Sequence, residues 1–131
     1  FPGEHVPPEG RLLLALNGDH AGGCIALGKL SDSVCEMRTL YVQPAYRGMR
    51  LAKLLVDTLI DEARQIGYSH MRLDTLRFME NTMNLYRSLG FYDITPYRDV
   101  SDALKQYMCF LELDLRNAPH AVHHSAFKTQ R

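Results

Sequence analysis

Arg47 and Arg50 bracket Gly48 in the stretch Leu40-Tyr41-Val42-Gln43-Pro44-Ala45-Tyr46-Arg47-Gly48-Met49-Arg50-Leu51-Ala52, where a strand runs through a short turn into a long helix. The first backbone N–H groups of a helix have no partner inside it, and the helix dipole places partial positive charge at that end. A helix predicted to open between Gly48 and Leu51 therefore offers an anion site suited to a phosphate, and Arg47 and Arg50 add charge to it. Gly48 lets a ligand approach the backbone closely. No Gly-Lys-Ser/Thr follows, and the GxGxxG pattern is absent, so the site is neither a P-loop nor a dinucleotide fingerprint. The plainer alternative is a solvated helix with two arginines near its start. Positive charge there opposes the dipole, so without an anion the arrangement costs a little free energy.

The elements that must hold this turn are legible on both sides of it. Arg11 to Leu16 is an apolar strand, Asn17-Gly18-Asp19 a tight hairpin turn, and Ala21 to Leu30 the return strand. Gly22 and Gly23 mark a bulge or a close approach. Val34 to Gln43 is a third strand in which Cys35, Met37, Thr39 and Tyr41 alternate with Glu36, Arg38, Leu40 and Val42. The period then becomes helical. Ala52, Leu55, Val56, Leu59, Ala63 and Ile66 form one stripe, with Lys53, Asp57, Asp61, Glu62, Arg64 and Gln65 on the other side and Gly67 as the stop. Lys53 and Asp57, four apart, can pair weakly. Met71 to Leu76 is a strand, Met79 to Leu89 a short helix, Phe91 to Tyr97 a strand, Arg98 to Lys105 a polar loop, and Gln106 to Leu115 the last strand. From Arg116 no period is evident. The order β-β-β-α-β-α-β-β, hairpins first and a βαβ crossover in the middle, predicts a mixed sheet of the α/β or α+β class.

Composition supports one domain over 1–131, with a core at 11–115 and a tail at 116–131. The chain has 131 residues, 46% hydrophobic and 23% charged, which excludes a disordered tail, a fibrous repeat and a disulfide miniprotein. Lys plus Arg and Asp plus Glu are 15 each, so any phosphate site is local and no nucleic-acid partner is expected. No apolar run is long enough to span a bilayer and no signal-peptide pattern opens the sequence, so no membrane partner and a cytoplasmic location are expected. Cys24, Cys35 and Cys109 form no CxxC pair and read as reduced core residues. His120, His123 and His124 lie close together without a neighbouring Cys or carboxylate, so no metal is expected there. Phe1-Pro2-Gly3 and Val6-Pro7-Pro8 read as a loop, with something cut off or missing upstream.

At this point the sequence resembles a family. Cys35-Glu36-Met37-Arg38-Thr39-Leu40-Tyr41-Val42-Gln43-Pro44 followed by Tyr46-Arg47-Gly48 is similar to motif A of the GNAT superfamily of acyl-CoA N-acyltransferases, and Leu85-Tyr86-Arg87-Ser88-Leu89-Gly90-Phe91 resembles its motif B. The resemblance covers roughly Arg11 to Leu115, and two motifs at the right separation are far more specific than either alone. It implies a GNAT-like fold, a mixed and mostly antiparallel sheet of six to seven strands with splayed central strands, and acetyl transfer from acetyl-CoA as cosubstrate to a primary amine of a small molecule or peptide, with no metal.

The resemblance also assigns roles. Arg47, Gly48, Met49, Arg50, Leu51 and Ala52 would hold the coenzyme pyrophosphate, and Leu40, Tyr41 and Val42 would line its pantetheine arm by edge addition. The N–H of Leu40 or Tyr41 would polarise the thioester carbonyl. Tyr86 would be the general acid, since a phenol of pKa about 10 is protonated at neutral pH; as a core aromatic it would need no such role. Glu36 is the leading general base, its alternative being a surface carboxylate paired with Arg38; Asp74 is the reserve and His70 a weaker one. Asn81 is a coenzyme contact shifted from the family's usual position. Phe78, Tyr92, Tyr97 and Arg98 would line the acceptor pocket or serve as core and rim, and Glu36, Asp74, Glu80 and Asp99 would make that pocket acidic for a basic acceptor.

Two departures bear on these expectations. Arg50 stands where glycine is usual, and a helical residue there need not have a positive φ. The family's usual N-terminal strand and helices, which cover the acceptor side, are not recognisable; a homodimer or a partner chain would cover the surface left open. Three readings follow: an N-acetyltransferase, a non-catalytic acyl-CoA-binding module, or a site for some other phosphorylated ligand.

Overall fold

A computed structural model describes residues 9–48 and 50–116, together with the backbone of 128–130. Met49, the proline-rich start, and His120, His123 and His124 lie outside the described residues.

The first hairpin pairs β1 (Arg11–Asn17) with β2 (His20–Lys29) across Asn17↔His20, as the Asn-Gly-Asp turn predicts. β3 (Val34–Val42) adds antiparallel to β2. A single 3₁₀ turn, Pro44–Tyr46, leads to α1 (Leu51–Ile66), which crosses over to β4 (His70–Leu76) parallel to β3. α2 (Glu80–Ser88), β5 (Tyr92–Asp93), α3 (Asp102–Lys105), β6 (Met108–Asp114) and β7 (Lys128–Gln130) follow. The sheet order is β5-β6-β4-β3-β2-β1-β7, seven strands with β3–β4 the one parallel pair among the described pairings. This is the mixed, mostly antiparallel α+β architecture that the pattern predicts.

α1 lies against β1, β2 and β3 and contributes Leu55, Val56, Leu59 and Ala63, all fully buried, to the core. Burial of each larger side chain is worth about 1.5–3 kcal/mol. Asp57 and Glu62, read from sequence as solvent-facing, are buried instead. Lys53 bonds the Asp57 carboxylate at 2.6 Å, and Arg11 stands 4.0 Å from that of Glu62, so cations accompany both carboxylates.

Four other expectations change. Strand 91–97 reduces to Tyr92–Asp93, because Pro96 cannot donate to a ladder and the chain leaves the edge there. The loop 98–105 contains the one-turn helix α3, whose first N–H bonds return to the Ser101 carbonyl. The tail returns to the sheet, since β7 pairs with Leu14, Ala15 and Leu16. Arg50 is the N-cap of α1 at φ 59°, left-handed rather than helical, a conformation that costs a non-glycine residue about 1–2 kcal/mol.

β3 does not alternate as written. Between Arg38 and Tyr41 it carries one residue more than β2 does between Cys24 and Ala26, and Thr39 has φ 53°. This bulge exchanges the faces of the strand. Cys35 and Met37 are in the core before it, while Leu40 and Val42 pack on the core after it and Tyr41 is exposed.

Gly23 makes the bulge possible. A Cβ there would stand 2.6 Å from the Tyr41 carbonyl oxygen, a backbone atom that cannot swing away. Gly23→Ala should therefore destabilise the fold by about 1–3 kcal/mol, read as a lower midpoint in chemical denaturation; an unchanged midpoint would contradict this packing.

Candidate active site

The chemistry-bearing residues converge because β3 and β4 part. Their pairing lasts three rungs, Val34↔His70, Cys35↔Met71 and Glu36↔Arg72, although β3 continues to Val42 and β4 to Leu76. Beyond the fork lies a cleft of about 1060 Å³. One wall is β3 and the turn into α1, the other β4 and α2. The splayed strands expected from the motifs are thus present.

Of the expected site residues, Glu36, Leu40, Tyr41, Val42, Arg47, Gly48, Arg50, Leu51, Ala52, Asn81 and Tyr86 all line this one cleft. Asp74 and Arg98 line it as well. Phe78, Tyr92, Tyr97, Glu80 and Asp99 are not among the lining residues, and neither is His70, which stands 4.0 Å from Asp114 at the start of β4. Lining residues to which the sequence gave no site role include Lys53 on α1, Leu73 and Thr75 on β4, and Thr82, Leu85 and Ser88 on α2. With Asn81, the last three fall on one face of α2 at helical spacing, a signal that was available in the sequence.

The helix start suits an anion. α1 begins at Leu51, within the predicted range; its N-cap makes no side-chain capping bond, and no acidic residue occupies its first turn. The first intrahelical bond runs from Leu54 N–H to the Arg50 carbonyl at 3.2 Å, so the preceding amides lack helical acceptors. Gly48 has φ 82°, and a Cβ added there would meet nothing within 4 Å, so the cradle is open at that point. The turn is tied down by Gln43 N–H to the Gly22 carbonyl at 2.8 Å and by Arg47 Nε to the Val42 carbonyl at 3.2 Å. These features fit a diphosphate.

At the fork, Glu36 is 3% exposed and serves as a hub. Arg38 Nε donates to its Oε1 at 2.6 Å; Tyr97 Oη donates to Oε2 at 2.5 Å, and Arg98 Nη2 also bonds Oε2. The Arg98 guanidinium lies over the Tyr97 ring, 5.2 Å from its centroid, and its Nε is 3.4 Å from Asp74 Oδ2. Tyr97 thus stands behind Glu36, packed edge-on against Phe110. Burial, followed by the charge of Asp74, raises the Tyr97 pKa, so its proton stays in place to be donated. Asp74 has a side chain 29% exposed, and burial raises its pKa above the ordinary carboxylate value.

Tyr86 on α2 is 5% exposed, its ring 5.5 Å from that of Phe91, and burial pushes its pKa up to about 12. The phenol is therefore a proton donor across the physiological range. Cys35 is buried with its thiol pushed up to about 12, which leaves too little thiolate to act as a nucleophile. Among the described residues no group of His, Cys, Asp and Glu is arranged to hold a metal, and no helix is long and apolar enough to cross a membrane.

Comparison with known proteins agrees with this geometry. The profile of the acetyltransferase (GNAT) family matches residues 2–91. An uncharacterized N-acetyltransferase of Schizosaccharomyces pombe is 42% identical over 97 residues, covering 72% of this chain; the match spans 59% of that relative's length. A GNAT-family acetyltransferase of Staphylococcus aureus superposes with a TM-score of 0.73 at 20% identity, over 86% of this chain and 72% of its own. A Salmonella typhimurium protein whose structure holds its cofactor acetyl-CoA superposes with a TM-score of 0.67 at 25% identity, over 86% and 68%. The forked sheet, the open helix start and the matched profile agree: the chain belongs to the GNAT acetyltransferase family.

Proposed function

We propose that this chain transfers an acetyl group from acetyl-CoA to a primary amine of a small molecule or peptide, by direct attack on the thioester. The observation that carries the reading is the single cleft in which the fork, the open start of α1 and Tyr86 meet. The acetyl-CoA held by the Salmonella relative supports it. Acetyl-CoA is a substrate here, and Gly48, Arg50, Leu51 and Ala52 would hold its diphosphate, with Arg47 adding charge and Asn81 lining the same cleft from α2; Met49, between them in sequence, belongs to the same expectation. Leu40, Tyr41 and Val42 would accept the pantetheine arm along the side of β3 that β4 has left. The N–H of Leu40 or Tyr41 would stabilise charge developing on the thioester oxygen.

Proton transfer divides between two residues. Tyr86, which burial keeps protonated, would give its proton to the departing thiolate. For the base, the sequence pointed first to Glu36. Three donors on its carboxylate favour the anion and weaken it as a proton acceptor. We therefore give Glu36 the task of positioning Arg98, and give Asp74, whose basicity burial raises, the amine proton.

Two outcomes test this. Tyr86→Phe should lower kcat by about 10²–10⁴-fold while leaving acetyl-CoA affinity within a few-fold, measured by thiol release and calorimetry; unchanged turnover removes Tyr86 from the acid role. Asp74 must be ionised to accept a proton, so kcat should fall as pH is lowered through its raised pKa, above the ordinary carboxylate range. Asp74→Asn should lose that acid limb along with most of the turnover, and a variant retaining both would contradict the assignment.

A further inference from the structure

Arg98 spans the fork. Its Nη2 bonds Glu36 Oε2 on β3, and its Nε stands 3.4 Å from Asp74 Oδ2 on β4. These two strands stop pairing at Glu36↔Arg72, two residues before Asp74, so the guanidinium joins them where their own ladder no longer does.

The hold on Arg98 does not come from Asp74. Glu36 binds it from one side, and the Tyr97 ring lies under it, 5.2 Å from the guanidinium carbon. Tyr97 is itself fixed, by its hydroxyl on Glu36 Oε2 at 2.5 Å and by its edge-on contact with Phe110. Arg98 is therefore the anchored partner, and Asp74 is the one it steadies. Only one oxygen of Asp74 is engaged. Oδ2 faces Arg98, and Oδ1 makes no hydrogen bond or ion pair among the described residues.

On the acetyl-transfer reading above, which this inference deepens and on which it rests, we propose that Arg98 is a positioning residue of the transfer: anchored on Glu36 and Tyr97, it holds Asp74 by Oδ2 as a carboxylate and leaves Oδ1 to take the amine proton. Burial favours the protonated acid at Asp74. A cation this close works the other way, because it favours the charged form. Asp74 then remains ionised to a lower pH than burial alone would allow. Loss of Arg98 should raise the Asp74 pKa and move the acid limb of kcat to higher pH.

Other charged or titratable groups surround Asp74. Tyr97, Glu36 and Arg38 stand at the fork, and Arg72 precedes it on β4. Glu112 lies on β6, two residues beyond the Asp74↔Phe110 rung, and is taken up by Arg72 and Tyr92. Tyr86, Arg47, Arg50 and Lys53 line the same cleft. All of these are retained when Arg98 is replaced.

The test is a pH titration of the Asp74 carboxyl carbon by nuclear magnetic resonance, assigned with Asp74→Asn. In the unaltered protein the Arg98 Nε–H resonance should move with the same midpoint as that carbon; an Nε–H that ignores the titration overturns the proposal. In Arg98→Gln the carboxyl midpoint should rise by about one unit, a tenfold change in proton affinity, since both side chains are partly exposed and the pair is screened. Arg98→Lys should return part of the shift. An unmoved midpoint in Arg98→Gln overturns the proposal and leaves the base assignment intact. If Arg98→Gln fails to fold, the paired titration in the unaltered protein decides alone. The acid limb of kcat, read by thiol release from acetyl-CoA with a primary amine, should rise with the carboxyl midpoint. A limb that stays while the midpoint moves removes Asp74 as the base, and Arg98's part in the transfer falls with it. If no amine releases thiol, the acetyl-transfer reading fails by itself, and the two resonances still decide whether Arg98 holds Asp74.

Discussion

The buried carboxylate of Glu36 stands at the last rung where β3 and β4 still pair, and the rest of the site depends on it. Its oxygens gather Arg38 from its own strand and Tyr97 and Arg98 from the segment after β5. At that rung Glu36 still pairs with Arg72, and beyond it β3 and β4 part beside the side chains gathered on Glu36. A buried carboxylate is costly unless fully partnered, and removing one partner of such a cluster commonly costs about 3–5 kcal/mol. The fork is thus held by a network in which each member needs the others, with Glu36, Arg38 and Arg98 all lining the cleft.

The second constraint is at the other end of the cleft. A helix that begins with a left-handed arginine, no capping side chain and no acidic residue in its first turn lacks the features that normally stabilise a helix start. Packing of Leu55, Val56, Leu59 and Ala63 holds α1 in place regardless. The helix can therefore leave its first amides for an anion. Stability comes from one face and one end of α1, and binding capacity from the other end. The bulge at Thr39 belongs to the same arrangement, because it turns Leu40 and Val42 inward beside that helix start.

Much of this was legible in the sequence because the signals were local. The Asn17-Gly18-Asp19 hairpin, the α1 stripe and its Lys53–Asp57 pair, and the two motifs with their spacing all recur in the structure. The misses have physical causes. Thr39 and Arg50 are not glycines, so nothing in their type signals a positive φ, and the bulge that reverses strand alternation stays hidden. Asp57 and Glu62 are charged and read as solvent-facing, yet tertiary packing covers them once cations come close. β5 is short because Pro96 ends it, and that same departure delivers Tyr97 and Arg98 to Glu36, a convergence across more than 60 residues that no local pattern encodes. β7 pairs with β1 from the far end of the chain, equally beyond local reading.

Backbone amide resonances followed during titration with coenzyme A test the central claim most directly. The amides of Gly48, Arg50, Leu51 and Ala52, together with those of Leu40 to Val42, should shift most and saturate together, since one ligand would lie across both. Unperturbed resonances there, with the largest shifts on some other face of the sheet, would contradict the account.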